Sequence, residues 1–368
     1  MAELEIGIGK SGRRAYGLDD IAVVPSRRTR DPEDVDVSWA LEAYRFDLPI
    51  LGGATDSVTS PATAIRMAEL GALGVLHLEG LWTRHVDPEP LLAEVAQLPA
   101  DRVTARLREV YAQPVVPELI AKRIQQMKSG GGVTAAAMTP QSVEQLHAVA
   151  LDAGLDVLVI QGTVVSAEHV STGTQPLNLK DFIARYDIPV VVGGCASYAT
   201  ALHLMRTGAA GIIVGVGTGQ ASSTRHVLGA GVPLATALAD AAGARSRHLE
   251  ETGRHVQIIA EGGIDNSGEI ARAIAMGADA VMLGTPLARA AEAPGQGAHW
   301  DMSAFHATTP RGGRQPAPAV GTLEEILVGP AIDESGTTGL CAALARSMAI
   351  CGYGSSKEFQ RAEVVVTG

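Results

Sequence analysis

The chain has 368 residues, of which 46% are hydrophobic but only 4% aromatic, and its formal net charge at pH 7 is −11. A large aliphatic core is therefore available, as in many α/β proteins. The acidic balance argues against a protein that coats nucleic acid or an anionic membrane, so we expect neither as a partner.

The N-terminal residues MAELEIGIGK lack the apolar core of a signal peptide. No later apolar run reaches the roughly 18 residues that are needed to span a bilayer. We therefore expect a cytoplasmic protein. The three cysteines, Cys195, Cys341 and Cys351, lack the spacing of metal ligands, so the sequence predicts reduced thiols and no metal site.

An alternation of strand-like and helix-like segments begins near residue 48. LPILGGA at 48–54 suits a buried parallel strand, PATAIRMAEL at 61–70 has helical spacing, and LGVLH at 73–77 is apolar again. The pattern then lapses over residues 78–116 into a polar, proline-containing excursion. PELIAKRIQQMKSG at 117–130 predicts a helix with proline at its start and glycine at its end.

The rest of the chain repeats the strand and helix pattern six more times. The predicted strands lie at 132–138, 155–162, 188–194, 210–215, 255–263 and 278–284, with helices near 140–153, 179–185, 197–208, 233–252 and 268–277. Eight successive units favour a closed (β/α)8 TIM barrel over a doubly wound sheet, because nothing signals a reversal of strand order. The sequence predicts one such α/β domain over residues 1–368, with an N-terminal extension and a C-terminal tail.

Residues 295–330 lie beyond the eighth predicted strand and are rich in glycine, proline and polar side chains. Long polar segments of this kind inside a compact domain are often binding loops or lids. We therefore predict a mobile flap over the carboxyl ends of the barrel strands.

Glycines stand at the ends of the seventh and eighth predicted strands. Gly262 and Gly263 follow the seventh, and Gly284 with Thr285 follows the eighth. Phosphate groups in this fold are often held by the loops after these two strands, where glycine lets backbone N–H groups approach closely and helix starts add a favourable dipole. The pattern predicts a phosphate site, although ordinary turns would also use these glycines.

The loop after the sixth predicted strand, GVGTGQASSTR at 215–225, has glycine at alternate positions. Its later part offers the hydroxyls of Ser222, Ser223 and Thr224 and the cation of Arg225. The spacing is not that of a dinucleotide fingerprint. The loop is a second candidate for ligand binding, and a surface turn capped by Ser and Thr is the alternative.

With this loop as its centre, the sequence resembles the IMP dehydrogenase and GMP reductase family. Further similar segments are YGLDDIAVVPSRRTRDPEDVDVSW at 16–39, TDSVTSPATAIRMAELGALGVLH at 55–77, AEGGIDNSGEIARAIAMGADAVMLGTPLARAAEAPG at 260–295 and the tail at 339–366. The resemblance implies a purine nucleoside monophosphate (IMP, GMP or XMP) as ligand, NAD(P) as cofactor and a monovalent cation. It also implies a homotetramer or octamer that lacks the regulatory CBS domains of many dehydrogenases in the family.

The resemblance also assigns roles to individual residues. It implies that Glu261 binds the ribose hydroxyls, where the family has an aspartate, and that Asp56 lies near the nucleotide. It further implies that Thr224 is catalytic, with Glu292 as the acidic residue beside it in the reductase branch. The nucleotide itself would be held by Gly217, Gly219, Gly262, Gly263, Gly284 and Thr285.

Several positions depart from the family pattern. Ser222 stands where the family has its nucleophilic cysteine, and a serine hydroxyl without a nearby base is far less nucleophilic than a thiolate. Gln161 replaces an aspartate that contacts the nicotinamide riboside, and Gln220 replaces a small phosphate-binding serine. The predicted flap also lacks the Arg-Tyr pair that activates water in a dehydrogenase.

Two classes of function are consistent with these departures. The first is an NAD(P)-dependent purine-nucleotide oxidoreductase with altered chemistry, and the second is a nucleotide-binding regulatory or structural protein that has lost the nucleophile. A substitute thiol could come from Cys195 at the end of the fifth predicted strand. His77, at the end of the second, is a candidate acid or base.

Overall fold

The structure, a computed structural model, describes residues 3–170, 172, 176–219, 221–303, 309 and 311–367. Five short strands precede the barrel: β1 (Glu3–Gly7), β2 (Lys10–Arg13), β3 (Ile21–Val23), β4 (Trp39–Leu41) and β5 (Tyr44–Phe46). The first two form one antiparallel hairpin, and β4 with β5 forms a second. Short 3₁₀ turns lie at Leu18–Asp20 and Pro32–Asp34.

Eight parallel strands then close into a barrel in chain order. They are β6 (Ile50–Gly52), β7 (Leu73–His77), β8 (Ala135–Met138), β9 (Val157–Gln161), β10 (Val190–Cys195), β11 (Gly211–Val214), β12 (Gln257–Glu261) and β13 (Ala280–Leu283). The last strand pairs with the first, with Leu283 opposite Gly52. The predicted (β/α)8 barrel is therefore confirmed, and the doubly wound alternative is wrong.

Helices surround the barrel. Between β6 and β8 lie α1 (Pro61–Glu69), α2 (Glu89–Gln97), α3 (Ala100–Tyr111) and α4 (Pro117–Ser129). The helices that follow are α5 (Val143–Asp152), α6 (Leu179–Arg185), α7 (Tyr198–Arg206), α8 (Thr224–Leu228), α9 (Leu234–Thr252), α10 (Ser267–Ala275), α11 (Thr285–Ala288), α12 (Leu323–Leu327), α13 (Leu340–Ile350) and α14 (Ser356–Phe359). No helix in the described ranges is both long and apolar enough to cross a membrane.

Two layers of apolar side chains hold the barrel together, because successive residues of a strand face opposite sides. Leu73 and Val75 of β7 belong to the cluster inside the barrel, whereas Leu76 packs with the helices outside. Trp39 and Phe46 of the β4–β5 hairpin join the inner cluster and stack with ring centroids 5.0 Å apart. The hairpin thus contributes to the core that fills the barrel interior.

The segment 78–116 is more ordered than its polar composition indicated. It contains a 3₁₀ turn at Leu81–Thr83 and the helices α2 and α3. Helix α3 buries Val103, Leu107, Val110 and Tyr111, which share one face of the helix. The many charged residues on its other face conceal this apolar stripe when only the average composition is considered.

The chain after the barrel packs against it wherever the structure describes it. The short strands β14 (Ala298–His299) and β15 (Gln315–Pro316) pair with each other, and Arg314 donates hydrogen bonds to the carbonyl oxygens of Val95 and Ala96 at the end of α2. The final strand, β16 (Val364–Val366), pairs with β3. Within the predicted flap, residues 304–308 and 310 lie outside the described residues, so its mobility stays a prediction.

Candidate active site

A cavity of about 480 Å³ opens at the carboxyl ends of the barrel strands. Small-molecule sites commonly have volumes of about 300–1,000 Å³, and this end of the barrel is where they occur in this fold. The residues that line it include Gly53, His77, Gln161, Gly217, Thr218, Gly219, Ser222, Thr224, Glu261, Gly262, Gly263, Gly284, Thr285, His299, Asp301 and Arg311. The structure thus brings together most of the site residues predicted from the sequence.

Two glycines of the loop after β11 are needed because neighbouring backbone atoms leave no room for a side chain. A side chain at Gly215 would overlap the carbonyl group of Glu261. Gly217 has a φ of +72°, and a Cβ there would lie 2.8 Å from the carbonyl oxygen of Ala230. Gly219, by contrast, has room for a Cβ. The first two glycines are therefore required by the fold of the loop itself. Gln220 lies outside the described residues.

The ends of β12 and β13 supply backbone donors to the cavity. Gly262 and Gly263 have φ angles of +85° and +70°, and Cβ atoms there would lie 2.7 Å and 2.5 Å from oxygen atoms of Thr218. Among the described residues, the N–H groups of Gly262, Gly263 and Gly284 have no hydrogen-bond acceptor. Three unsatisfied amides beside one cavity are suited to an anion such as phosphate.

Most N–H groups at the start of helix α10, which follows these glycines, already have hydrogen-bond acceptors. The side chain of Asn266 accepts a hydrogen bond from the Glu269 N–H at 3.0 Å, and the Glu269 carboxylate accepts from the N–H groups of Asp265 and Asn266. This capping box satisfies three N–H groups, and the Ser267 N–H donates to the carbonyl oxygen of Gly336. Gly262, Gly263 and Gly284 line the cavity, whereas Gly268 of the helix does not.

Ser222 and Thr224 face the cavity as a pair of hydroxyls. Their Oγ and Oγ1 atoms are 3.0 Å apart, and Thr224 is buried. Within the part of the chain that is described, the hydrogen bonds of both side chains connect only these two residues. Among the described residues no base is at hydrogen-bond distance from Ser222, which agrees with the weak nucleophile expected at this position.

Two carboxyl groups, those of Glu261 and Asp301, line the mouth of the barrel and interact electrostatically. Burial and the nearby charge of Asp301 raise the pKa of Glu261 to about 8. Burial also raises the pKa of Asp301, although hydrogen bonds from the N–H groups of Ser303 and Met302 act to lower it. Like-charged groups in a poorly solvated site cannot easily both ionise. The pair can therefore retain a proton at neutral pH and can donate as well as accept hydrogen bonds.

His77 and Gln161 line the same cavity and have buried polar atoms without a hydrogen-bond partner among the described residues. His77 is only 2% exposed, and neither of its ring nitrogens has a hydrogen-bond partner among the described residues. Oε1 of Gln161 likewise has no partner there. Burial, together with the charges of Arg311 and Arg84, lowers the pKa of His77 well below its usual value. The imidazole is therefore neutral.

Several residues of the cavity belong to no sequence motif, so the sequence alone did not indicate them. Arg84 and Glu79 follow β7, Arg311 comes from the segment after the barrel, and His299 lies in β14. Nδ1 of His299 is 2.9 Å from Oγ of Ser57, and burial lowers its pKa to about 4. Tertiary folding alone brings these side chains to the site.

Asp56, which we expected near the nucleotide, is not among the residues that line the cavity. It is 2% exposed, and its carboxylate accepts hydrogen bonds from the Leu81 N–H at 2.9 Å and the Tyr111 hydroxyl at 2.5 Å. The Tyr111 oxygen in turn accepts from Nε1 of Trp300 at 3.0 Å. Asp56 therefore joins the barrel to α3 and to the segment after β13.

Glu292 and Cys195 also lie outside the cavity lining. The exposed carboxylate of Glu292, which we expected beside Thr224, accepts a hydrogen bond from the Leu323 N–H at 2.9 Å, at the start of α12. Burial raises the pKa of the Cys195 thiol to about 12. A thiol with that pKa is not a substitute nucleophile at neutral pH.

Comparisons with known proteins agree with this architecture. A family described as "IMP dehydrogenase / GMP reductase domain" matches residues 15–313. The chain is 48% identical over 375 residues to a protein of Mycobacterium tuberculosis named an uncharacterized oxidoreductase, with 99% of this chain and 100% of that protein covered. It is 28% identical to the inosine-5'-monophosphate dehydrogenase of Escherichia coli, over 77% of this chain and 75% of that enzyme.

A solved structure is similar over nearly the whole chain. It is the crystal structure of an IMP dehydrogenase/GMP reductase-like protein from Corynebacterium glutamicum, with a TM-score of 0.94 and 46% sequence identity. The match covers 99% of this chain and 98% of that one.

Proposed function

The chain belongs to the IMP dehydrogenase and GMP reductase family, and we propose that its cavity binds a purine nucleoside monophosphate. The observation that carries this proposal is the set of three glycine amides, at Gly262, Gly263 and Gly284, that lack acceptors among the described residues. They would donate hydrogen bonds to the phosphate oxygens. The family and its oxidoreductase relatives place the protein in an oxidoreductase-like role in purine metabolism.

Glu261 would hold the ribose. Its carboxyl group lies at the end of β12, directly before the proposed phosphate donors, and lines the same cavity. A carboxylate can accept protons from two neighbouring hydroxyls. Because Glu261 and Asp301 retain a proton in the free protein, binding of a ribose diol would favour its release. Both groups would thus link nucleotide affinity to pH.

Ser222 would not form a covalent bond to the purine. Its hydroxyl contacts only that of Thr224 among the described residues, and neither has a base at hydrogen-bond distance. The two hydroxyls can instead position the base or an ordered water molecule. The chemistry therefore differs from that of a thiolate enzyme at this step.

The cavity has groups that fit a nicotinamide cofactor. Oε1 of Gln161 is a buried acceptor without a partner among the described residues, and a carboxamide N–H is a suitable donor to it. When bound, NAD(P) would supply hydride acceptance or donation. Gln161 would orient the carboxamide, and it brings no negative charge to that place, unlike the aspartate at this position in the family.

A second candidate function is nucleotide binding without turnover. The observation that favours it is that the hydroxyls of Ser222 and Thr224 have no base at hydrogen-bond distance among the described residues. Both candidates require binding of a purine monophosphate, and only the first requires a reaction with NAD(P).

Calorimetric titration with IMP, GMP and XMP tests the shared proposal, and absorbance of reduced nicotinamide separates the two candidates. Saturable binding that is lost in Gly263→Ala supports the nucleotide site. Reduction of NAD(P) with IMP, or oxidation of NAD(P)H with GMP, supports the enzyme. If none of the three nucleotides binds, the proposed function is wrong.

A further inference from the structure

His77 is a buried histidine whose hydrogen-bonding capacity is unmet. It ends β7, lines the cavity and is 2% exposed, with no partner for Nδ1 or Nε2 among the described residues. A buried polar group without a partner destabilises a protein, and most such groups in native structures are satisfied. A ligand in the cavity would satisfy this one.

The surroundings of His77 favour an uncharged ligand group. Two cations, Arg84 and Arg311, interact with it electrostatically. These guanidinium groups already face carboxyls, since Asp56 and Glu79 interact with Arg84, and Asp56 and Asp301 interact with Arg311. The nearby charges are therefore matched without a ligand. An anion in the cavity would meet the carboxyl groups of Glu79 and Asp301, and a cation would meet the two guanidinium groups.

We propose that His77 determines specificity by hydrogen bonding to an amide group, –CO–NH–, of the bound ligand. A neutral imidazole offers one donor and one acceptor, and an amide group offers one of each in return. The unmet Oε1 of Gln161, two strands away on β9 and in the same cavity, is a further acceptor for such a group. This inference rests on the proposed function and concerns the recognition of one part of its ligands.

Two ligands of the proposed function contain an amide group of this kind. The lactam of a 6-oxopurine is one source, and the carboxamide of NAD(P) is the other. Removal of the hydrogen bond from a buried site of this kind lowers affinity by roughly tenfold. Replacement of the imidazole by an apolar ring of similar shape removes the unmet polar atoms, so the free protein would become more stable.

The test compares the wild type with His77→Phe and His77→Gln, and the matched control is His248→Phe. His248 is also buried, with Nδ1 unpartnered in the described chain, and it lies on α9 outside the cavity lining. Each variant is titrated with IMP, with the 6-chloropurine ribonucleotide, with NAD and with the nicotinic acid analogue of NAD. Thermal unfolding is measured without ligand.

We expect the melting temperature of His77→Phe to rise by about 2 °C while its affinity for the amide-bearing ligand falls about tenfold. His77→Gln should retain more of that affinity, because it keeps a donor and an acceptor, and His248→Phe should leave all affinities unchanged. If the His77 variants lose affinity for IMP alone, and the wild type binds IMP more tightly than the chloropurine nucleotide, the amide group is the purine lactam. If the variants lose affinity for NAD alone, and the wild type binds NAD more tightly than the nicotinic acid analogue, the amide group is the carboxamide of NAD.

Unchanged affinities in both His77 variants would overturn the inference, as would tighter wild-type binding of the carboxylate analogue. A lower melting temperature with unchanged affinities would show a structural histidine. If His77→Phe does not fold, the titrations of His77→Gln and the analogue pairs with the wild type decide. If neither IMP nor NAD binds to the wild type, the proposed function itself fails, and that result is distinct from a failure at His77.

Discussion

Glu261 at the end of β12 interacts electrostatically with Asp301, which lies in the segment after β14, at the mouth of the barrel. Burial and the charge of Asp301 raise the pKa of Glu261 to about 8, from an ordinary value of 4.5. Both side chains line the cavity that also contains the glycine amides. Glu261 lies at a strand end that the sequence predicted, whereas Asp301 comes from a polar segment without a regular pattern. Together they form one acidic pair.

This pair makes stability depend on pH. Because the folded-state pKa of Glu261 is raised, the folded protein binds one more proton than the unfolded chain between about pH 4.5 and pH 8. The free energy of unfolding therefore falls as pH rises through this window. Glu261→Gln does not titrate, so its melting temperature should exceed that of the wild type by a margin that grows from pH 5 to pH 8.5. Differential scanning calorimetry across this range measures the margin, and a constant or shrinking margin contradicts the assignment.

Gly263→Ala should abolish nucleotide binding. The substitution places a Cβ 2.5 Å from the Thr218 carbonyl oxygen at a φ of +70°, so the loop after β11 must move. The matched control is Gly253→Ala at the end of α9, where φ is +71° but no atom lies within 4 Å of the Cβ. We expect the control to lose about 1 kcal/mol of stability and no affinity. Equal calorimetric affinities for GMP in the two variants would exclude this role for Gly263.

Ser222→Ala should lower the affinity for IMP by no more than about tenfold, because an exchanged neutral hydrogen bond contributes only about 0.5–1.5 kcal/mol. Ser222→Cys places a thiol at the same point in the cavity. If the remaining residues support the family chemistry, this variant should reduce NAD(P) with IMP faster than the wild type. Mass spectrometry after incubation with IMP detects a covalent adduct. An adduct on wild-type Ser222 would contradict the interpretation of an unactivated hydroxyl.

Tyr111→Phe should destabilise the protein by about 2 kcal/mol. The change removes the 2.5 Å hydrogen bond to buried Asp56 and leaves Nε1 of Trp300 without its 3.0 Å acceptor. The control is Tyr353→Phe, which removes an exposed 3.3 Å hydrogen bond to the Arg361 carbonyl oxygen and should cost less than about 0.5 kcal/mol. Urea unfolding measures both values. Similar losses in the two variants would mean that the Asp56 network does not stabilise the fold.

The sequence predicted the elements with strong local signals. Each barrel strand is a short apolar run bounded by glycine or polar residues, and each is present in the structure. The helices α2 and α3 were missed because proline and charged residues obscure the stripe of Val103 and Leu107. Their correct prediction required the helical period to be weighted above composition.

The site was only partly predictable. Gly262 and Gly263 could be placed at the cavity because the carboxyl ends of all barrel strands meet on one face. Asp56 and Glu292, which we also expected at the site, do not line the cavity, since a position in a motif does not fix the direction of a side chain. The Tyr111 hydroxyl engages Asp56, and the first turn of α12 engages Glu292.

The sequence by itself determined the barrel, its family and the identity of Ser222 at the loop after β11, because these depend on local pattern and on residue type. Only the tertiary structure decided which polar groups face the cavity and which are satisfied elsewhere. Asp301 and Arg311 reach the site from a segment without regular pattern, and His77 remains without a partner among the described residues. Such properties depend on burial and on contacts between distant parts of the chain, which no local spacing of residues encodes.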